Sequence, residues 1–386
     1  MRKEIYITDY NCVTPLGFNV DSNWNALLEG KSGVALHTII DNQAAFYASM
    51  IDSDKLNEEF NRFFTQNDND NFTRLEKMLL LSLQPLVEKH PLSEDTAFIL
   101  STTKGNISLL KNQSELPEGV YLSKLAEKIA AFFGFKTKPI IVSNACVSGV
   151  MAISVAKNMI QAGRYKDAFV VAGDELSEFV ISGFNSFQAI GSGPCKPYDK
   201  NRDGINIGEA AAAVYITSCH SDEGRISQNE KFKFKVLGDS AINDANHISG
   251  PSRTGDGLYA SIRNAMAEAR VSPEQIDFIS AHGTATLYND EMEAIAFNRM
   301  DLQHIPLNSM KGYYGHCLGA SGLLESIISM ESALHSTLIP SKNFEETGVT
   351  QPLNIIRENQ TTDITYILKT ASGFGGCNAA VVLEKC

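Results

Sequence analysis

Two stretches of this 386-residue chain, far apart in sequence, follow one plan. NACVSGVMAISVAKNMIQAG (144–163) and GHCLGASGLLESIISMESAL (315–334) each open on a cysteine among small residues and run on into an apolar, helix-periodic segment. Each is followed by a Gly/Ala-rich approach to a β-branched strand, GEAAAAVYIT (208–217) and GGCNAAVVLEK (375–385). A helix packed against a small-residue turn needs a sheet to cover it, so the repeated plan implies two similar α/β halves. We place them at residues 1–225 and 226–386, with the polar run SCHSDEGRISQNEK (218–231) as the junction. One sequence does not separate true duplication from convergent patterning; an internal pseudo-repeat is the expectation. Matching helix starts would then converge between the halves, where ligands commonly bind.

The rest of the chain alternates in the same way. Strands are expected at Ile5–Thr8, Thr96–Leu100, Ile140–Val142, Phe169–Ala172, Ala212–Thr217, Phe232–Leu237, Phe278–Ala281, Tyr366–Thr370 and Ala379–Leu383. Helices are expected at Trp24–Leu28, Thr73–Glu88, Leu122–Phe133, Val150–Ala162, Gly257–Ala269, Asp290–Phe297 and Gly322–His335. QNDNDN (66–71) reads as an exposed loop.

Charge and cysteine usage narrow the function class. A net charge of −12 argues against nucleic acid as a partner, since duplex binding needs a basic footprint. Apolar runs such as Ala168–Ala172 stop far short of the roughly 18 residues of a membrane span. Seven scattered cysteines without a CxxC pair imply a reduced, cytoplasmic protein. LLEGKSG carries Asn25 where a phosphate loop needs glycine, and GDGLYA follows no strand, so both nucleotide motifs fail. There is no H-E-x-x-H and no close His/Cys ligand set, so no metal is expected.

Four stretches carry the chemistry. In IIVSNACVSGV, Cys146 stands where a strand turns into a helix, and unpaired backbone N–H groups at a helix start favour thiolate. The local pattern alone leaves a buried packing cysteine as the alternative. In FISAHGTATLYNDEMEAIA (278–296), His282 ends a strand beside Thr284 and Thr286, a small, hydroxylated setting unlike that of an ordinary structural histidine. In LNSMKGYYGHCLGASGLLE (307–325), Lys311, His316 and Glu325 surround a glycine-rich turn, and a helix start keeps His316 neutral. In TASGFGGCNAA (370–380), the glycines permit close approach of backbone N–H groups.

These residues, with the Lys-x-x-x-Gly-His spacing, resemble those of the β-ketoacyl–acyl carrier protein synthases, elongating condensing enzymes of the thiolase superfamily. IYITDYNCVTPLGFNVDSNWNALLEGKSGV and PYDKNRDGINIGEAAAAV extend the resemblance over nearly the whole chain. It implies a thiolase-like α/β fold, two pseudo-symmetric βαβαβαββ halves in five layers, as a homodimer or with a related subunit. It implies decarboxylative Claisen condensation of an acyl group on Cys146 with malonyl–acyl carrier protein, extending a fatty-acid- or polyketide-type chain. The catalytic set would be Cys146, His282, His316, Lys311 and Phe374, the last a gate flanked by Gly373 and Gly375. Thr284, Thr286, Glu325, Gly373 and Gly375 would serve the substrate. No cofactor is implied; phosphopantetheine arrives on the carrier.

Asp199, Arg202, Asp203 and Glu209 read as structural charges, and Cys317 and Cys377 as packing residues. Ser372 stands where the family often has a second aromatic, Leu287 where it often has proline, and STTKGN (101–106) replaces a glycine-rich turn. Arg62, Arg74, Lys77, Lys124 and Arg202 are the basic residues expected to meet an acidic carrier near the Asn/Asp-rich loop. These departures suggest a specialised, polyene-like or secondary-lipid pathway. The alternatives are a chain-length partner subunit without strong catalysis, which would lack the cysteine, and a coenzyme A-dependent thiolase-like acyltransferase, which would lack one histidine.

Overall fold

A computed structural model describes residues 3–37, 45–64, 71–111, 115–218, 233–247 and 250–386. The junction at 225/226 and all but the last residue of the Gln66–Asn71 loop lie outside the described residues.

The first half contributes strands β1 (Ile5–Val13), β2 (Thr96–Ser101), β3 (Ile140–Val142), β4 (Asp167–Asp174) and β5 (Ala210–Ser218). The second contributes β6 (Phe234–Asn243), β7 (Phe278–Ser280), β8 (Pro306–Asn308), β9 (Tyr366–Gly373) and β10 (Cys377–Lys385). Their spatial orders are β3-β2-β4-β5-β1 and β8-β7-β9-β10-β6, the same permutation twice. The two sheets meet edge to edge where β1 and β6 pair through Tyr6–Lys235 and Ile7–Phe234. The pseudo-repeat inferred from the sequence is therefore also a repeat of topology.

Among the described helices, six build the layers around these strands: α1 (Arg74–Lys89), α2 (Leu122–Phe133) and α3 (Ser148–Gln161), then α4 (Asp256–Ala269), α5 (Leu287–Arg299) and α6 (Ser321–Leu334). Helix α1 starts at a capping box, Thr73 receiving the Glu76 N–H and Glu76 receiving that of Thr73, and it buries Leu75, Leu79, Leu83 and Leu86. With α2 it covers one face of the first sheet. Helices α4 and α5 cover the far face of the second. Between the sheets lie α3 and α6, giving five layers.

Helix α6 is buried from Ser321 to Ala333, so it is enclosed on every side. It crosses α3 at paired glycines. A Cβ on Gly149 would lie 2.6 Å from the Leu323 nitrogen, and one on Gly322 2.8 Å from the Val150 nitrogen. Each helix opens on Ser-Gly, and that shared opening places Cys146 opposite Gly319, with Cys317 outside the repeat.

The expected strands form within the described residues, several with longer ends; the one expected from Phe232, which lies outside those residues, runs from Phe234, and the one expected to Ala281 ends at Ser280. The helix expected from Trp24 begins at Val20, one residue past the Asn19 cap, and that expected from Asp290 begins at Leu287. The strand Pro306–Asn308 and the helices Ser53–Phe63 and Glu178–Ser186 were not foreseen. Among the described residues, no helix is long and apolar enough to cross a membrane.

Candidate active site

Strand β3 ends at Val142, and the chain reaches α3 through a sharp elbow in which Ala145 takes φ +45°. The strain is held by Ser148, whose hydroxyl accepts the Asn144 N–H at 2.8 Å and donates to the Ala145 carbonyl at 2.6 Å. Cys146 thus stands two residues before the helix instead of in its first turn, with its side chain facing the second half.

From that half come the two histidines. His282 follows β7, and its backbone N–H is held by Glu293 of α5 at 2.8 Å. His316 precedes α6, and its backbone is sewn to the first half by Asn206 and Gly208 at 2.7 and 3.0 Å. The Cys146 sulfur and one nitrogen of each imidazole all lie within 4.8 Å of one another. The rings meet edge to face, centroids 5.2 Å apart.

Burial sets the charge state of all three. Both imidazoles are held well below their usual pKa, first by desolvation and then by the Lys311 and Lys369 ammonium groups. They are neutral, as expected. The Leu318 N–H donates to His316 Nδ1 at 3.2 Å, and Ser321 Oγ lies 3.0 Å from the same atom, so the ring proton sits on Nε2. The sulfur departs from expectation. Burial pushes the Cys146 thiol up to about 12, so desolvation outweighs the pull of Lys311 and Lys104, and the resting form is the thiol.

A cavity of about 510 Å³ opens on this group. Cys146, Phe184 and Ile205 from the first half and His282, Thr284 and Phe374 from the second help to line it. The Thr284 and Thr286 hydroxyls, 2.9 Å apart, both lie on its wall. Phe374 stacks on Phe184 at 5.5 Å and meets Phe187 edge-on at 5.4 Å. Neither partner was foreseen, although their i, i+3 spacing puts both on one face of the turn after Ser182. Gly373 lies so near Cys146 that a Cβ there would sit 3.0 Å from the Cys146 nitrogen, which brings the two turns together. Gly375 takes φ +86°.

Lys311 and Glu325 stand behind this wall. Lys311 donates to Glu325 at 2.6 Å, and Lys369 donates to the other carboxylate oxygen at 2.6 Å. With both oxygens occupied and only 3% of its surface exposed, Glu325 does not reach the substrate space expected of it. Lys369 was missed. Its signal was a lysine inside the apolar run YILKTA.

Asp199, Arg202 and Glu209 hold turns together. Asp199 receives the N–H groups of Asn201, Glu345 and Glu346, and Glu209 pairs with Arg74. Arg202 is buried on the carbonyls of Asp199 and Gly348. Arg74 and Arg202 are therefore consumed internally and are not free to meet an acidic partner. Asp203 both braces Ser192 and lines the cavity. Cys317 is buried near the Tyr314 carbonyl, and Cys377 near that of Phe374. STTKGN has its own logic: Asp174 receives the Thr102 and Thr103 hydroxyls and the Gly319 N–H, clamping this turn to the one that follows His316.

Family models for the N-terminal and C-terminal domains of beta-ketoacyl synthase match residues 2–220 and 234–345. The chain belongs to the β-ketoacyl synthase family. This β-ketoacyl synthase is 27% identical to the putative mitochondrial 3-oxoacyl-(acyl-carrier-protein) synthase of Schizosaccharomyces pombe, over 99% of each chain. It is 26% identical to 3-oxoacyl-(acyl-carrier-protein) synthase 2 of Staphylococcus aureus strain COL, over 100% of this chain and 99% of that one. Among solved structures it is similar to the ishigamide ketosynthase/chain length factor, with 25% identity, TM-score 0.89 and full coverage of both chains. A ketosynthase from Xenorhabdus doucetiae in complex with its chain length factor shares the fold, with TM-score 0.85, 24% identity, and coverage of 100% of this chain and 98% of that one. The thiolase-like fold inferred from the sequence is thus that of solved ketosynthases.

Proposed function

We propose that this β-ketoacyl synthase transfers an acyl group from a carrier-protein thioester to Cys146 and condenses it with malonyl–acyl carrier protein. The observation that carries this reading is one thiol and two neutral imidazoles from different halves meeting within 4.8 Å on one cavity. In the first step the sulfur attacks the thioester carbonyl, and the thiol proton leaves with the departing pantetheine sulfur. The Cys146 and Phe374 N–H groups are the proposed donors to the developing oxyanion, and the approach of Gly373 to the Cys146 nitrogen supports that pairing.

In the second step the malonyl carboxylate leaves as carbon dioxide, and the bonding electrons pass to the thioester as an enolate. His282 and His316, as neutral donors, would bind that enolate oxygen; the Nε2 proton of His316 supports the role. The carbanion attacks the acyl-Cys146 carbonyl, Cys146 thiolate is expelled, and the sulfur takes up a proton. Decarboxylation makes the nucleophile, so the scheme calls for no dissociable cofactor or metal. Thr284 and Thr286 would hold the pantetheine arm, and Phe374 would gate it by moving off Phe184 and Phe187. The second subunit would be another copy or, as in the solved complexes with a chain length factor, a related one. Ser372 and the STTKGN turn support a specialised acyl substrate, to be identified by product mass with a panel of acyl primers.

The deciding test is intact-protein mass spectrometry after incubation with acyl-carrier thioester. Wild type gains one acyl mass and Cys146→Ala gains none; equal labelling of the variant sinks the assignment.

A further inference from the structure

Behind the cavity, the pair Lys311–Glu325 is completed by a third charge, Lys369 on β9. Its side chain is fully buried, and its ammonium has three acceptors for three protons. These are Glu325 Oε2 at 2.6 Å and the carbonyls of Ser280 and Ala281 at 3.2 and 3.3 Å. Those two carbonyls are the last before His282. One lysine therefore ties the strand end that presents His282 to the carboxylate that anchors Lys311.

The geometry points to Lys369 as a positioning residue for the condensation site, one that fixes His282 through its backbone and keeps the site positive behind both imidazoles. The inference rests on the reading in which His282 and His316 act as neutral donors.

The surrounding charges leave this contribution visible. From α6, Glu325 is shared by two lysines, two cations against one anion; burial lowers the Lys369 pKa and the Glu325 carboxylate opposes that lowering. From α5, Glu293 faces the His282 and Gly283 N–H groups and the Tyr198 hydroxyl, and Asp290 faces the Thr284 N–H and Arg202. From the first half, Cys146 is a neutral thiol, and Asp174 lies against the Gly319 N–H. A cation beside an imidazole opposes its protonation, and Lys369 acts on both rings.

Two variants separate geometry from charge. Lys369→Gln keeps donors for the carbonyls and removes the charge, while Lys369→Met removes both. For malonyl–carrier decarboxylation we expect kcat to fall about tenfold or more in Lys369→Met, with KM within about twofold, because the lysine touches no substrate. In both variants the acid limb of the pH–rate profile moves upward by about one unit, because each histidine gains a proton more easily. A packing role alone leaves that limb in place. Folded variants with wild-type kcat and an unmoved limb overturn the inference.

If neither variant folds, the wild-type enzyme still decides. Imidazole resonances of isotope-labelled histidine should show both rings still neutral well below the usual histidine range. Titration of either near 6.5 overturns the inference, and because this readout needs no turnover, it fails separately from the proposed reaction.

Discussion

In the proposed reaction, a thiol and two imidazoles gathered on one cavity would bind a charged malonyl group and then accommodate the loss of its charge. In that scheme uncharged donors bind the enolate oxygen more strongly than the thioester carbonyl from which it forms, and that difference is what lowers a barrier. Replacing His282 or His316 with alanine should cut malonyl decarboxylation by about 10²- to 10³-fold, while Cys146→Gln continues to release carbon dioxide. Retained release in both histidine variants excludes the roles given to them. The same burial makes the histidines a liability in acid. Each ring stays neutral in the folded state and takes a proton near 6.5 once unfolded, so the unfolded state binds more protons and stability falls as pH drops below that value. Buried Glu293, raised to about 7, works in the opposite direction between that pH and about 4.5, so the wild-type curve alone does not isolate the histidines. The difference between wild type and His316→Gln does. Between pH 7.5 and 5.5 the wild type should lose about 1.4 kcal/mol relative to the variant in urea unfolding. A difference independent of pH means that His316 takes up its proton over the same pH range folded and unfolded, and a difference of opposite sign means that it is protonated when folded.

Elements were legible in proportion to how much of their burial the local sequence dictates. Helices α3 and α6 announced themselves through small-residue starts and apolar runs, and β4, β5 and β10 through β-branched residues. Strand β8 has three residues and no alternation; it exists because β7 and Asn354–Ile355 pair with its two edges, contacts far away in sequence. Helix Ser53–Phe63 buries only Leu56 and Phe60, too sparse a stripe to stand out. Within the site, Cys146, His282 and His316 could be read because small residues and glycines surround them. Lys369 could not, since a lysine in a strand reads as solvent-facing until Glu325 is brought beside it by the fold. The thiol state was also out of reach, because desolvation is a property of the assembled site and not of the elbow. The crossing of α3 and α6 gives an element-scale test. Gly149→Ala gains about 1 kcal/mol of helix propensity but places a Cβ 2.6 Å from the Leu323 nitrogen. Crowding should win, giving a net loss of about 1–3 kcal/mol in denaturant unfolding and slower acylation of Cys146, three residues away. A more stable, fully active variant means that the helices do not meet so closely.

At the scale of the whole molecule, the site exists only while the halves keep their relative position, since the thiol comes from one and the imidazoles from the other. The β1–β6 contact spans two residue pairs, too short to hold the sheets alone. Besides the glycine crossing, a polar bolt joins the halves away from the cavity. Lys157 of α3, 1% exposed, pairs with Asp239 of β6 and with Glu268 of α4, the latter at 2.6 Å. Glu268 also receives the Asp239 N–H at 2.8 Å, so one carboxylate serves both the ammonium and the strand. Lys157→Met keeps most of the side-chain volume but takes away the ammonium that Asp239 and Glu268 share. Removing one partner of a buried ion pair costs about 3–5 kcal/mol; Glu268 is partly exposed, which places the expected loss near the lower end. Replacing Lys157 and Asp239 together by methionine and leucine removes the uncompensated charge and should recover much of that loss. The single variant, measured at a temperature where it is folded, should condense at the wild-type rate, since no charge of the site is touched. Urea unfolding gives the first two quantities and product formation the third. If Lys157→Met unfolds like wild type, the bolt carries no stability, and the halves are held by the glycine crossing, the backbone links around His316 and apolar burial.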